Sequence, residues 1–235
     1  MEFLCKYLGG SRGYGLNTEK SDYDYRGVFI HTEVSKIIGL ERFDHFETVS
    51  GDQDVKYKEL REWFNLLRRG NTEALECLFN ENWIEKTEEF DSIRNVKYSF
   101  IDSDKLFRCL LGYAASELKL ANGERTGKLG GKRKEAIEKF GFSPNNFVNY
   151  FRLLQTGITF FNTNKYIVKW GDELYGAFLF NLKTEPQKFE LSYLNSLAKK
   201  SELELKNSFD SRKTDYKFKN EIANSIIYKI YIKKL

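Results

Sequence analysis

Two short segments decide the fold of this chain, GGSRGYG at residues 9–15 and SDYDYRGV at residues 21–28. Apolar runs at residues 3–8 and 28–30 flank them. Glycine lets backbone amides approach an anion closely, and Ser11 adds a hydroxyl donor, so the first segment favours phosphate binding. The second segment carries two carboxylates that are separated by a single residue.

Asp22 and Asp24 point to the same face of the sheet if residues 22–31 form a strand. Two neighbouring carboxylates repel each other, and a hard divalent cation relieves that repulsion. Oxygen ligands of this kind suit Mg²⁺ or Mn²⁺ that also holds substrate phosphates. Each segment alone is common turn chemistry, but the two together predict a triphosphate-binding loop beside a metal site.

The Gly-Ser loop and the following Asp-x-Asp pair resemble the signature of the DNA polymerase β superfamily of nucleotidyltransferases. The longer pattern, GSR-x-x-G and then SD-x-D-x-x-GV, resembles the branch of predicted nucleotidyltransferases and RNA-repair-pathway polymerase-β-like proteins. The resemblance implies an α+β fold, with a mixed β-sheet and helices forming a nucleotidyltransferase core that precedes a mainly helical C-terminal domain. We place the catalytic domain at residues 1–97 and the substrate- and nucleotide-binding domain at residues 98–235.

A third carboxylate usually accompanies the pair in this chemistry, and the resemblance places it at Asp54. Downstream, residues 57–61 match the family's Tyr-Glu stretch, and residues 71–76 match its Asn-Pro-x-x-Leu-Glu motif, with Thr72 in place of proline. Asp44, on the other arm of a predicted hairpin, remains an alternative third carboxylate. A plain polar turn is the alternative role of Asp54 itself.

The resemblance implies that Asp22, Asp24 and Asp54 are the catalytic carboxylates and hold two Mg²⁺ (or Mn²⁺) ions. It also implies that Ser11 and the backbone amides near Gly10 bind the β- and γ-phosphates. Asp54 is the side chain that we select as general base.

Basic side chains are expected to offset the charge of the triphosphate. Arg12 is one candidate, although a plain surface role suits it nearly as well, and Arg26 shares the strand face of the two aspartates. Lys132, Arg133 and Arg152 are further candidates for contact with nucleotide or RNA.

The C-terminal half departs from the family pattern at three polar positions. Residues 131–133 match a Gly-Lys-Arg motif and residues 152–154 an Arg-Leu-Leu motif. Between them, Ser143 replaces aspartate, Asn145 replaces lysine and Asn149 replaces histidine. Because a lost lysine weakens contact with substrate charge, these positions support an alternative: a catalytically degenerate nucleotide- or RNA-binding module on the same fold.

Strands are predicted where apolar residues alternate. Besides the strands at residues 3–8 and 22–31, a hairpin joins a strand at residues 43–49 to a return strand that starts at Asp54. We expect this return strand to lie antiparallel beside the strand of the aspartate pair. Residues 166–168 are also typical of a strand.

Helices are predicted where apolar residues recur every three or four positions. Thr72 is expected to cap one of them and Pro144 to open another. Residues 174–182 fit either a helix or a strand. The predicted helices and helical turns cover residues 14–17, 33–40, 58–69, 104–120, 135–140, 192–208 and 213–235, with two more that start at Thr72 and Pro144.

Composition sets limits on the class of protein. The chain has 235 residues, of which 41% are hydrophobic and 31% charged, as in an ordinary globular protein. The net charge of +4 is too small to require a nucleic-acid partner.

No apolar run approaches the roughly 18 residues of a membrane span, and no signal segment opens the chain, so we expect no membrane partner. Cys5, Cys77 and Cys109 lack Cys-x-x-Cys spacing, which favours buried thiols in a cytoplasmic protein.

Together these features predict a metal-dependent nucleotidyltransferase. It would move a nucleoside monophosphate from a nucleoside triphosphate, ATP among the candidates, to a hydroxyl group and release pyrophosphate. The family label favours an RNA 3′ end as the acceptor. A protein side chain and a small molecule remain alternative acceptors.

Overall fold

The computed structural model describes residues 1–38, 44–124 and 131–234. Within these residues, five strands form one sheet in the order β3-β4-β2-β1-β5. A short apolar run precedes the Gly-Ser loop and forms β1, and the run that ends the Asp-x-Asp segment forms the buried half of β2. The strands are β1 (Glu2–Leu8), β2 (Tyr23–Ile30), β3 (His45–Ser50), β4 (Gln53–Glu59) and β5 (Trp83–Lys86).

Helices account for most of the remaining described residues, so the predicted α+β class is confirmed. Two 3₁₀ turns, Lys97–Phe100 and Pro186–Lys188, connect some of them. The helices are α1 (Gly10–Gly13), α2 (Val34–Ile38), α3 (Leu60–Arg68), α4 (Thr72–Phe79), α5 (Glu88–Arg94), α6 (Ser103–Ala121), α7 (Gly131–Phe140), α8 (Pro144–Thr163), α9 (Leu174–Thr184), α10 (Leu191–Asp210) and α11 (Asn220–Lys234).

The strands β2 and β4 are parallel, and the predicted antiparallel arrangement is therefore wrong. The reason lies in the connection. The chain between Ile30 and Gln53 is long enough to cross over, and β3 takes the outer edge, where it pairs antiparallel with β4. The sheet is mixed because it contains this parallel pair and also antiparallel pairs, among them those of β1 with its two neighbours, β2 and β5.

Several predicted elements differ from the observed ones in position. The first helical turn is α1 rather than residues 14–17, and residues 166–168 are not in a strand. Asn71, not Thr72, caps α4, since its side-chain oxygen accepts a bond from Ala74 N at 3.0 Å. Pro144 opens α8 as expected. Parts of the predicted elements at residues 33–40 and 43–49 lie outside the described residues.

The chain divides into two compact units. The first comprises Met1–Leu106 and Asp215–Leu235, and the second comprises Phe107–Thr214. The last segment returns to the first unit, where Ser103 and Tyr216 exchange hydrogen bonds of 2.9 and 3.0 Å. The predicted division at residue 97 therefore differs from the division by packing, while the roles assigned to the two domains stay predictions.

Each unit has its own aromatic core. In the first unit, the apolar stripe of α3 is buried, and the Trp63 ring lies 5.1–5.5 Å from those of Phe64 and Phe90. In the second unit, α8 is buried along most of its length and packs on α10. No helix in the described part of the chain has the length and apolar character that a membrane span needs.

Candidate active site

The Gly-Ser loop lies directly against the aspartate strand. Gly9 N donates a 2.7 Å hydrogen bond to Asp24 O, which continues the β1–β2 ladder into the loop. Gly10 opens α1 with a φ of +55°, and a Cβ built there would lie 1.9 Å from Asp24 Oδ2. Glycine is therefore required at residue 10, both for its backbone conformation and for the space that the carboxylate occupies.

Two of the three predicted carboxylates are direct neighbours. In the parallel register of β2 and β4, Asp24 pairs with Asp54, so both side chains lie on one face of the sheet. Asp22 comes just before β2 and is exposed. Asp44 lies elsewhere: its carbonyl accepts a bond from Glu59 N at 2.8 Å, at the far end of the β3–β4 hairpin. The structure thus brings Asp54 beside Asp24, and it does not bring Asp44 there.

Arg26 lies between the two carboxylates. Its Nη2 is 3.0 Å from Asp24 Oδ1 and 3.0 Å from Asp54 Oδ2. Its Nη1 donates to the carbonyl oxygens of Tyr25 and Asp54, at 3.0 and 2.9 Å. Its Nε lies 3.3 Å from Glu73 Oε1 on α4. Arg26 shares the β2 face of Asp24 as predicted, but Asp22 lies outside β2, and the second aspartate that Arg26 contacts is Asp54.

The carboxylate pair is electrostatically strained. Burial raises the pKa of Asp24, and the neighbouring charge of Asp54 acts in the same direction, while Arg26 opposes both. The charge of Asp22 raises this pKa further. Asp54 Oδ1 is buried and has no hydrogen-bond partner among the described residues. Arg26 and Lys56 contact the other oxygen of this carboxylate, so Oδ1 keeps lone pairs that are suited to binding a cation.

The fit to a metal ion is partial in this conformation. Among the described residues, no group of three or more His, Cys, Asp or Glu side chains converges closely enough to hold one. The donor chemistry nevertheless suits Mg²⁺ or Mn²⁺, since Asp24 and Asp54 present carboxylate oxygens on one sheet face and Asp22 lies two residues before Asp24, just outside β2. The metal roles of these three residues stay predictions.

A second basic side chain accompanies the pair along β4. Lys56 Nζ lies 3.5 Å from Asp54 Oδ2 and 3.2 Å from Glu47 Oε1 on β3. Burial lowers the pKa of Lys56, but its bond to Glu47 and the charge of Asp54 outweigh this and leave the pKa raised. Sequence reasoning missed Lys56, although its spacing of two from Asp54 in a strand would have placed it on the same face.

Arg12 joins the loop to the strand start. Its Nη2 donates a 2.8 Å bond to Ser21 O, and its guanidinium carbon lies 3.8 Å from the centre of the Tyr23 ring. This arrangement ties residue 12 to the segment that carries Asp22. The expected contact of Arg12 with phosphate stays a prediction, as do those of Ser11 and Gly10.

The helix α4 supports the site from behind. Its Glu73 faces Arg26, and its Glu76 accepts a 2.9 Å hydrogen bond from the hydroxyl of Tyr14, the residue that ends α1. Burial raises the pKa of Glu73, Arg26 lowers it, and the charge of Glu76 raises it. Sequence reasoning matched this motif to the family but gave no role to either glutamate. Their i, i+3 spacing on one helix face was the available signal.

The other predicted binding residues belong to the second unit. Arg133 on α7 donates from Nε to Asn146 Oδ1 at 3.1 Å, and the same oxygen accepts a 2.7 Å bond from Ser143. Asn146 in turn donates to Glu117 at 2.7 Å. Arg152 is buried in α8, and Lys132 lies on α7. Part of the basic patch predicted at residues 128–134 lies outside the described residues.

A mixed sheet that holds a Gly-Ser loop against an Asp-x-Asp strand is the arrangement of polymerase-β-like nucleotidyltransferases. The chain belongs to the RNA repair pathway DNA polymerase beta family, whose family model matches residues 2–132. The match confirms the resemblance found in the sequence. It contains both key segments and Asp54, and it ends before Ser143, Asn145 and Asn149. A search of curated proteins finds no match to this chain.

Proposed function

We propose that this protein is a metal-dependent nucleotidyltransferase that transfers a nucleoside monophosphate from a nucleoside triphosphate to a hydroxyl group. The observation that carries the proposal is the in-register pair of Asp24 and Asp54, held against the loop at Gly9 and Gly10. The family supports the nucleotidyltransferase class, and its description supports a place in RNA repair. An RNA 3′ hydroxyl is therefore the acceptor that we propose.

Each predicted site residue has a proposed role in binding the metal ion, the triphosphate or the RNA. Asp22, Asp24 and Asp54 would hold Mg²⁺ or Mn²⁺, which supplies charge neutralisation at the α-phosphate and acidifies the acceptor hydroxyl. Ser11 and the amides near Gly10 would hold the β- and γ-phosphates. Arg12 is positioned by Ser21 at the same loop. The cationic residues Lys132, Arg133 and Arg152 of the second unit would contact nucleotide or RNA.

The reaction balances as a single displacement at phosphorus. The acceptor oxygen forms a bond to the α-phosphorus, and the bond from that phosphorus to the oxygen bridging to the β-phosphate breaks. Pyrophosphate leaves with that oxygen. Asp54, which lies in register with Asp24, would accept the proton of the acceptor hydroxyl.

Metal-dependent nucleotide binding tests the proposal. Wild-type protein should bind a nucleoside triphosphate at least about tenfold more tightly with Mg²⁺ than with EDTA, because the carboxylates need the ion to tolerate the phosphates. The Asp22→Asn/Asp24→Asn variant should lose that difference and keep the fold. Equal binding with Mg²⁺ and with EDTA in the wild type would contradict the proposal.

A second candidate is a catalytically degenerate module that binds nucleotide or RNA. It is supported by Ser143, which is buried and bonds to Asn146 where the family pattern has an aspartate. RNA binding that persists unchanged in EDTA, with no nucleotide consumed, would favour this candidate. A protein-modifying nucleotidyltransferase is the remaining alternative. In an assay with α-labelled nucleotide, it would transfer the label to protein instead of RNA.

A cytoplasmic location is part of the proposal. It is supported by Cys5 and Cys77, whose sulfurs lie 3.8 Å apart without a disulfide. Thiols this close remain reduced most readily in a reducing compartment.

A further inference from the structure

Every nitrogen of the Arg26 guanidinium has a partner inside the protein, through four hydrogen bonds and one ion pair. A guanidinium carries five N–H groups, one on Nε and two on each terminal nitrogen. Nη2 bonds to Asp24 and Asp54, at 3.0 Å each. Nη1 bonds to two backbone carbonyls at 2.9 and 3.0 Å, and Nε faces Glu73 at 3.3 Å. All four terminal N–H groups are therefore engaged, so a phosphate could bind the end of the Arg26 guanidinium only by displacing one of these acceptors.

The charges of Asp24 and Asp54 explain why a cationic side chain lies between them. Asp24 and Asp54 are like charges placed directly opposite each other on neighbouring strands, which destabilises a sheet. The fork of the guanidinium spans both strands, because its Nη1 bonds to the backbone of β2 and of β4. Lys56 also approaches Asp54, but only at 3.5 Å and from the outer side, where Glu47 shares it.

We propose that Arg26 is a positioning residue: in the metal-free protein its guanidinium neutralises Asp24 and Asp54 and sets their spacing, and it does not bind the triphosphate. This differs from the role that the sequence suggested, in which Arg26 offsets substrate charge. The importance of Arg26 for catalysis rests on the proposed function. Its contacts with Asp24 and Asp54 are independent of that function.

The first arm of the test is a stability cycle in EDTA. Arg26→Met keeps the bulk and removes the charge, so in the wild-type background it should lower the melting temperature by roughly 5–10 °C. In the Asp24→Asn/Asp54→Asn background the same substitution should cost less than half as much, because the repulsion is already gone. Equal losses in the two backgrounds would overturn the proposal. A variant that folds only in the Asn background would support it.

The second arm separates a carboxylate partner from a phosphate ligand. Without a competing cation 3.0 Å from both carboxylates, Arg26→Met should bind Mn²⁺ about tenfold more tightly than the wild type. At saturating Mn²⁺ its affinity for nucleoside triphosphate should stay within about twofold. A fall of about tenfold or more in nucleotide affinity, with Mn²⁺ binding unchanged, would identify Arg26 as a phosphate ligand and overturn the proposal.

The matched control is Arg26→Lys, which keeps the charge and loses the fork. It should recover most of the metal-free stability but less than all of it, because an ammonium cannot bridge two strands in the same way. If the wild type binds neither Mn²⁺ nor nucleotide, the proposed function fails. The stability cycle still decides the role of Arg26 in that case.

Discussion

Asp24 and Asp54 are paired in register across the parallel strands β2 and β4, and one nitrogen of Arg26 lies 3.0 Å from a carboxylate oxygen of each. The two aspartates are far apart in the chain and meet only because β3 takes the sheet edge. The Gly-Ser loop also packs against the Asp24 carboxylate, at Gly10. The site is therefore built by the topology of the sheet as much as by the two sequence segments.

Gly10→Ala should reduce nucleotidyl transfer by about 100-fold or more, because the new Cβ would displace the Asp24 carboxylate. Gly51→Ala is a matched control: Gly51 has a φ of +60°, close to that of Gly10, but a Cβ there meets nothing within 4 Å. The control should keep its activity. Rates measured at saturating nucleotide for both variants make the comparison, and equal losses would show that backbone strain alone is responsible.

Asp24→Asn should stabilise the metal-free protein at neutral pH. Burial and neighbouring charge raise the pKa of Asp24 in the folded state, so its ionised form costs stability above that pKa. Protonation relieves this cost as the pH falls through the raised pKa, so the advantage of the variant should shrink toward acid pH. Melting temperatures in EDTA between pH 7.5 and pH 4 measure it.

The control for that measurement is Asp22→Asn, which removes an exposed carboxylate just before β2. We expect it to change the melting temperature by little, since surface substitutions usually stay within about 0.5 kcal/mol. A stabilisation by Asp24→Asn that is the same at every pH would contradict the assignment of strain to its charge.

Tyr14→Phe should weaken nucleotide binding several-fold, because the bond from the Tyr14 hydroxyl to Glu76 at 2.9 Å ties the end of α1 to α4. The stability loss should be about 1 kcal/mol, the usual net worth of one hydrogen bond. Glu76→Gln keeps an acceptor for Tyr14 and should retain nucleotide affinity. Affinities measured by titration with a fluorescent nucleotide decide it, and unchanged affinity in Tyr14→Phe would rule out this tie.

Tyr231→Phe should destabilise the first unit by about 1–3 kcal/mol, because the Tyr231 hydroxyl bonds to Glu59, whose carboxylate is fully buried. Tyr228→Phe, on the same helix but 66% exposed, is the matched control and should be near neutral. Urea unfolding of both variants measures the difference. Equal effects would mean that α11 is not anchored through this contact.

The sequence predicted those parts of the site that are local along the chain. The Gly-Ser loop, the closeness of Asp22 and Asp24 in the chain, and the shared face of Asp24 and Arg26 all follow from spacing within a few residues. The helix predicted at residues 58–69 was equally local, and Gly70, with a φ of +75°, follows the end of α3.

The parts that sequence reasoning missed depend on contacts between distant segments. The parallel register of Asp24 and Asp54 follows from which strand takes the sheet edge, and no local pattern encodes that. The return of α11 to the first unit rests on contacts such as that between Ser103 and Tyr216. The short strand β5 has only four residues, too few for alternation to mark it.

Transfer of label from a nucleoside triphosphate tests the central claim most directly. Purified protein is incubated with α-labelled or γ-labelled nucleotide, Mg²⁺ and total RNA, beside an Asp24→Asn control. We predict that α-label appears on RNA and that γ-label is released in pyrophosphate. The Asp24→Asn control should neither transfer α-label nor release labelled pyrophosphate. Label on protein would instead identify a protein-modifying transferase. No transfer of α-label to any acceptor, or equal transfer by Asp24→Asn, would contradict the account.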